Sequence, residues 1–504
     1  MKNINLSKAV LACLFIFFVI TGCNLFYPAR AVPVTPQPPA TNSAPTIAPS
    51  PTARVTAGSS GLGDSLYPNF GNGGYDAVHY TLDIIVNDVA MSDLTAVVTI
   101  EARATHNLSS FNFDFIGFEV DEITVNGEIA EFTRDSQELT IRPSKPLLEN
   151  ESFTVIVRYN GSPEEMESAV LPFQTGWVTV EGGSFVLSEP DGSASYYPVN
   201  DHPLDKAVYT FRVTVPKPFE VAANGVLTKI IDHGDTNTFL FEGLHPMASY
   251  LATINIDEFE VETAQSSNGI PIRNYYSTGL PQEIRKPFAR QDDMLVFFSE
   301  MYGLYPFEVY GSLVMDTEFG AALENQTLSI FGIDMIDIDD VKNTELVVAH
   351  ELSHQWFGDS ISVADWSDIW LNEGFATYSE GLWIEHTGGR EALDEWIKSQ
   401  YMNVVEYHEY FPPPGNPPAD DLFNGGVYVR GGLTLHALRL EVGDDVFFSI
   451  IQTYYDRYKD GNAATEDFLS VVNEVSDNDL TIFLDGWLYD KIMPPIPELG
   501  LASE

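Results

Sequence analysis

From residue 79 to about residue 259, apolar and polar positions alternate or cluster in short runs. HYTLDIIV, LTAVVTIEARAT, EITVNG, ELTIRP and FTVIVRY carry β-branched and aromatic residues with turn-formers between them, and YTFRVTVP and TFLFEG continue the pattern. Successive side chains of a strand point to opposite faces, so these runs predict a mostly β domain. The stretch SEPDGSASYYPVNDHPLDKA, residues 188–207, breaks the pattern, being too long and polar for a hairpin turn. Its position lets Glu189 point from the β-domain toward a neighbouring cleft.

Across residues 261–272 the composition shifts through ETAQSSNG, and the spacing of apolar residues then lengthens. IRKPFARQDDMLVFFSEMYG predicts a helix, and FEVYGSLVMD a strand ending in a polar segment. After TEFGAALENQTLSIFG, apolar residues recur at helical spacing in NTELVVAHELSHQWFG, and NEGFA opens a second helix. Beyond Arg390 the pattern stays helical, except where the prolines of FPPPGNPPADD, residues 411–421, forbid a regular helix and predict a stiff loop. YVRGGLTLHALRLEVG, DDVFFSIIQTYYDRYKDG and ATEDFLSVVNEVS predict three more helices. The expected fold class is α+β and multidomain, a β-domain followed by a mixed α/β to helical domain.

The N-terminus adds export. Lys2 and Lys8 give a small positive region before an apolar run over residues 9–20, and Ile20, Thr21 and Gly22 lead to Cys23. The run is too short for a stable span and has the form of a signal peptide. The small residues before Cys23 resemble the lipobox of bacterial lipoproteins, in which the cysteine becomes the lipidated first residue; an ordinary signal peptide or short anchor is the alternative. Residues 28–60, rich in Pro, Thr, Ala and Ser, cannot bury enough apolar area to offset the entropy of ordering and read as an extended tether. The expected organisation is a signal peptide over 1–22, lipidated Cys23 and the tether over 23–61, a β-domain over 62–261 and a catalytic domain over 262–504. Such a chain is extracytoplasmic and held to a membrane by a lipid anchor.

Charge and cysteine content narrow the chemistry. The formal net charge is −48, becoming −50 once Lys2 and Lys8 leave, which disfavours nucleic acid as a partner. Cys13 and Cys23 are the only cysteines, so the mature domains have none for an internal disulfide, thiol catalysis or thiolate ligation.

What remains points to a metal. His350 and His354 in HELSHQWFG are four apart and share one helical face, with Glu351 beside them. Glu373 in WLNEGFATYSE follows His354 by nineteen residues, enough for a helix to end, a loop to turn and a second helix to return a carboxylate. Two nitrogens and one oxygen leave a fourth tetrahedral position open, the description of a catalytic zinc site. Glu351 is unsuited to bind the same ion, which leaves it free as the general base. These residues leave open whether cleavage is internal or terminal.

HELSHQWFGDSISVADWSDIWLNEGFATYSE, with HExxH, eighteen intervening residues and then glutamate, resembles the M1 family of zinc metallopeptidases, the gluzincin aminopeptidases. The resemblance implies zinc ligands His350, His354 and Glu373 with Glu351 as base. It places the amine-binding glutamate of the family's Gly-Ala-Met-Glu-Asn segment at Glu324, in Ala321-Ala322-Leu323-Glu324-Asn325, and the substrate-binding backbone at Ala321 and Ala322. The chain departs from that segment at its first and third positions. YVRGG implies a transition-state tyrosine at Tyr428, and Glu189, ahead of PVNDHPLDKA, resembles the second carboxylate facing the substrate amine. The implied fold is a β saddle followed by a thermolysin-like catalytic domain, and the implied partners are peptides with a free N-terminus. A short bacterial lipoprotein form, lacking a large helical C-terminal domain and therefore open at its cleft, is expected. Alternatives are a zinc endopeptidase or broad peptidase and, in another class, a non-catalytic tethered peptide-binding protein. The oligomeric state is left open.

Overall fold

A 14-residue strand, Tyr75–Asp88, pairs antiparallel with a 12-residue strand, Asp93–Ala104, and the pair lies at the centre of an eight-stranded sheet. The alternation seen in the sequence is the cause: Leu82, Ile84, Val98 and Ile100 are wholly buried while their neighbours are partly or fully exposed. Burial of each such side chain stabilises the fold by about 1.5–3 kcal/mol. The computed structural model describes residues 55–164, 166–168 and 170–502. The expected signal peptide, Cys23 and the tether as far as residue 54 lie outside them.

Two further sheets lead to the cleft. A five-stranded sheet contains Gly183–Leu187 and Ile254–Asp257, and the chain leaves Leu187 directly into the segment 188–207. That segment forms one short turn, Ser193–Ser195, and is buried along almost all its length. Its polar groups are used internally: Asp201 accepts from Ser249 at 2.8 Å, and the Lys206 ammonium donates to the carbonyls of Asp359 and Ser360 at 2.7 and 2.9 Å. The other sheet runs Phe259–Gln265, Pro271–Ser277, Ser312–Met315, Ser329–Gly332 and, at its edge, Ala322–Leu323.

Among the described residues the helices are α1 (Gln291–Tyr302), α2 (Val341–Ser353), α3 (Trp370–Gly388), α4 (Arg390–Glu406), α5 (Gly431–Val442), α6 (Asp444–Tyr458), α7 (Thr465–Ser476) and α8 (Thr481–Leu488). The helix predicted over 284–303 divides in two. Gln282–Arg290 coils as a tighter 3-10 helix with Pro287 inside it, because proline lacks the N–H that an α-helix needs, and α1 starts only at Gln291. The helix predicted to start at Tyr428 is preceded by a π-helical turn, Gly426–Arg430. One apolar core runs through both regions, joining Tyr80 and Phe113 of the β region to Trp356, Leu438 and Trp487 of the helices.

The expected short form without a large helical C-terminal domain is corrected here. From Gln291 onward helices dominate, α3 packs on α2, α4 and α5, and α5 packs on α6 and α8, which makes a large helical C-terminal body around the cleft.

Candidate active site

Helix α2 is anchored by Val348, Ala349 and Leu352, all fully buried, and its N-terminus is capped by the Asp340 carboxylate, which accepts from Asn343 N–H at 3.3 Å. This fixes His350 in the last turn and His354 at the helix end, with their rings 4.8 Å apart. Glu373 lies in the first turn of α3. Its Oε2 is 3.3 Å from His350 Nε2 and 3.5 Å from His354 Nε2, and the three ligand atoms lie within 4.8 Å of one another.

The other ring nitrogens are occupied. His350 Nδ1 lies 2.8 Å from Glu380 Oε1, and His354 Nδ1 lies 3.0 Å from the Phe357 carbonyl. Both partners only accept, so each Nδ1 carries a proton and each Nε2 is turned toward Glu373, able to ligate once it gives up its own proton. Two imidazole nitrogens and a carboxylate oxygen converging on one point form a donor set that suits zinc. The local electrostatics agree. Burial opposes charge on His350, yet the carboxylates of Glu373 and Glu380 raise its pKa well above the usual value. Burial likewise opposes ionisation of Glu373, but His354 and His350 hold its carboxyl down at about 2.

Around this point four more predicted residues converge. Glu351 is buried, and burial, offset by both histidines and reinforced by Glu324 and Glu373, raises its carboxyl to about 8. One ligand atom each from Glu324, Glu351 and His354 also fall within 4.8 Å of one another. Glu189 follows the strand Gly183–Leu187, and burial together with Glu324, Glu373 and Glu351 raises its pKa well above the carboxylate range. Its Oε1 has no hydrogen-bond partner. Tyr428 stacks on His350 with ring centroids 6.0 Å apart, and burial and the surrounding carboxylates raise its pKa, which keeps the phenol a donor.

Tyr428 reaches this place because two glycines meet. A Cβ on Gly374 would lie 2.9 Å from the backbone of Gly431, so α3 and the turn bearing Tyr428 can touch only without side chains there. Arg430 fixes the turn from behind, donating to the Trp487 carbonyl at 2.7 Å.

All nine predicted residues of the domain site, including Ala321 and Ala322 at the sheet edge, line one cavity of about 350 Å³. Cys23 lies outside the described residues. Sequence reasoning missed Glu380, although its position seven residues after Glu373 in one helix puts both carboxylates on the same face. It also missed Tyr250, whose hydroxyl is 3.3 Å from Glu324 Oε1 and for which no local pattern exists.

The description "Peptidase family M1 domain" matches residues 288–487, and "Peptidase M1 N-terminal domain" matches residues 76–251. The chain belongs to the M1 peptidase family. A crystal structure of an M1 zinc metallopeptidase from Deinococcus radiodurans is 32% identical with a TM-score of 0.79, covering 87% of this chain and 98% of that one. A variant of that protein bound to a Tyr-Ser-Ala substrate has the same TM-score and identity. "Probable M1 family aminopeptidase 1" of Encephalitozoon cuniculi is 24% identical over 424 residues, 74% of this chain and 49% of its own length. The chain thus spans about half the length of the curated relatives it matches. It is an M1 zinc metallopeptidase with a β N-terminal region and a helical C-terminal body, and is not a truncated version of the Deinococcus structure, whose length it covers almost entirely. Its donor set fits the single catalytic zinc expected from the sequence.

Proposed function

We propose that this M1 metallopeptidase is an aminopeptidase that removes the first residue of peptides. The observation that carries this reading is the pairing of Glu324 and Glu189 beside the zinc ligands. Both are buried, and no Lys or Arg lines their cavity among the described residues. Buried carboxylates without a cation are costly, and the ammonium of a peptide N-terminus is the charge that completes the site. An internal amide offers none.

Zinc, when bound, supplies Lewis acidity that polarises the scissile carbonyl and acidifies water. The chain's own residues do the rest. Glu351 takes a proton from the attacking water and passes one to the leaving amine, and burial gives it the proton affinity this needs. The Tyr428 phenol donates a hydrogen bond to the oxygen that becomes negative. Glu324 and Glu189 hold the amine and set which peptide bond meets the metal. One peptide offered with a free and with an acetylated N-terminus tests the reading, with products identified by mass. Stepwise loss of residues from the free form alone is expected, and Glu324→Ala should abolish that discrimination; internal cuts in both forms would replace the aminopeptidase reading with an endopeptidase.

The apolar run over residues 9–20 and the tether that follows support a site of action outside the cytoplasm, with the enzyme attached to a membrane through the segment around Cys23. Among the described residues no helix is long and apolar enough to cross a membrane. On this reading Cys23→Ser moves the enzyme from the membrane fraction to the soluble one with its peptidase activity intact. Retention at the membrane would remove Cys23 from the attachment.

A further inference from the structure

Tyr250 belongs to the β region, in the short turn Ser249–Leu251, yet its hydroxyl reaches the catalytic cleft. It lies 3.3 Å from Glu324 Oε1, and because a carboxylate only accepts, the phenol is the donor. Asn372, the neighbour of Glu373 in α3, donates its side-chain amide to the same hydroxyl oxygen at 3.4 Å. The ring is fully buried against Trp366, with centroids 5.5 Å apart, and the backbone N–H of Trp366 donates to Asp64 at 2.7 Å. The hydroxyl therefore has little freedom to move.

The backbone beside Tyr250 grips the same loop. The Leu251 carbonyl accepts from Asn325 at 3.0 Å and from Asn224 at 2.9 Å, and Asn224 also donates to the Gln326 carbonyl at 2.8 Å. From the other side Gln355, next to His354, donates to the Glu324 carbonyl at 2.9 Å and accepts from Thr327 N–H at 2.8 Å. Glu324 thus has its main chain fixed by both the β region and the end of α2. Its carboxylate needs a separate restraint, because Glu189, Glu351 and Glu373 crowd it with acidic groups while the His354 and His350 rings draw it toward the metal site, and no Lys or Arg lines the cavity among the described residues. A fixed donor therefore decides which way that carboxylate faces.

We infer that Tyr250 is a positioning residue: its hydroxyl fixes the Glu324 carboxylate for the substrate's α-ammonium, so the β region takes a direct part in recognising the peptide N-terminus. The inference rests on Glu324 being the amine-binding carboxylate. Its reach is specific, since a hydroxyl that positions only this group affects ligands that carry the amine and spares those that lack it.

The test uses two zinc-binding inhibitors, leucine hydroxamate and its des-amino analogue, isocaproic hydroxamate, measured against the zinc enzyme. Their inhibition constants give a ratio that reads the amine site alone. Tyr250→Phe keeps the ring against Trp366 and removes only the hydroxyl. The ratio is expected to fall about tenfold, the range of one hydrogen bond to a charged group, while the constant for the des-amino inhibitor, zinc content and Tm stay as in the parent. Glu324→Gln should lower the ratio at least as far, and the double variant no further than Glu324→Gln alone. A ratio unchanged by Tyr250→Phe but reduced by Glu324→Gln overturns the positioning role and leaves the amine-binding glutamate standing. A ratio unchanged by both overturns the two together, and an equal weakening of both inhibitors by Tyr250→Phe assigns the tyrosine a general structural part instead.

Discussion

Glu351→Gln is expected to keep its zinc and to lose about a thousandfold in kcat, within the range of general acid–base catalysis. The substitution preserves the size of the side chain and removes the oxygen that accepts the proton. Zinc should stay because the ligand triangle is His350, His354 and Glu373, and neither imidazole is held by Glu351: their Nδ1 atoms are engaged by Glu380 and the Phe357 carbonyl. KM should change little, since Glu324 and Glu189, the residues assigned to the substrate amine, are untouched. Burial already raises the Glu351 carboxyl to about 8, so a neutral amide of the same size should leave the folded protein no less stable. Metal analysis beside steady-state rates on a free-amine peptide decides the matter. Undiminished turnover with zinc bound would take Glu351 out of the reaction.

How much of this was legible in the sequence depends on how local the information is. The two histidines and Glu351 are set by five consecutive residues at the end of one helix, and the return of Glu373 needs only a loop of suitable length, so the metal set follows from spacing. The helical and β patterns were likewise readable because periodicity is a property of neighbours. Glu324 and Glu189 are different. They lie just after an edge strand and in a buried connector, and the break in the β pattern drew attention to Glu189, but only the family resemblance gave either one, among 73 acidic residues, a role at the substrate amine. Tyr250 is one of 23 tyrosines and shows its use only when a turn of the β region meets the loop between the strands Ala322–Leu323 and Ser329–Gly332. The π-helical turn at Tyr428 escaped for another reason, since the Gly374–Gly431 approach that permits it joins residues far apart in the chain. The division of the helix at Pro287 could have been read directly, because proline in a helical run removes a donor whatever surrounds it.

Removing zinc with a chelator is expected to abolish cleavage and lower Tm, and added zinc to restore both. The physical ground is that the site is built before the ion arrives. Two imidazoles have their Nδ1 protons committed, their Nε2 atoms face Glu373, and His354 and Glu373 are buried with His350 only slightly exposed. Without the metal, protons on the histidines face Glu373 in its place, and the crowding of acidic groups at Glu189, Glu324 and Glu351 is relieved only when a divalent cation binds. A zinc concentration about a thousandfold above its dissociation constant stabilises the folded state by about 4 kcal/mol, provided the unfolded chain binds little. Glu380→Ala separates the frame from the ligands. It leaves all three ligands in place but frees the His350 ring to rotate and lose its tautomer, and zinc affinity should fall about 10–100-fold. Competition against a chelating dye measures that shift, and activity at saturating zinc should recover far more than in Glu351→Gln. Cleavage that persists after the metal is stripped would refute zinc catalysis. A Glu380→Ala enzyme holding zinc as tightly as its parent would show instead that the Glu380 hydrogen bond is not what holds His350 in place.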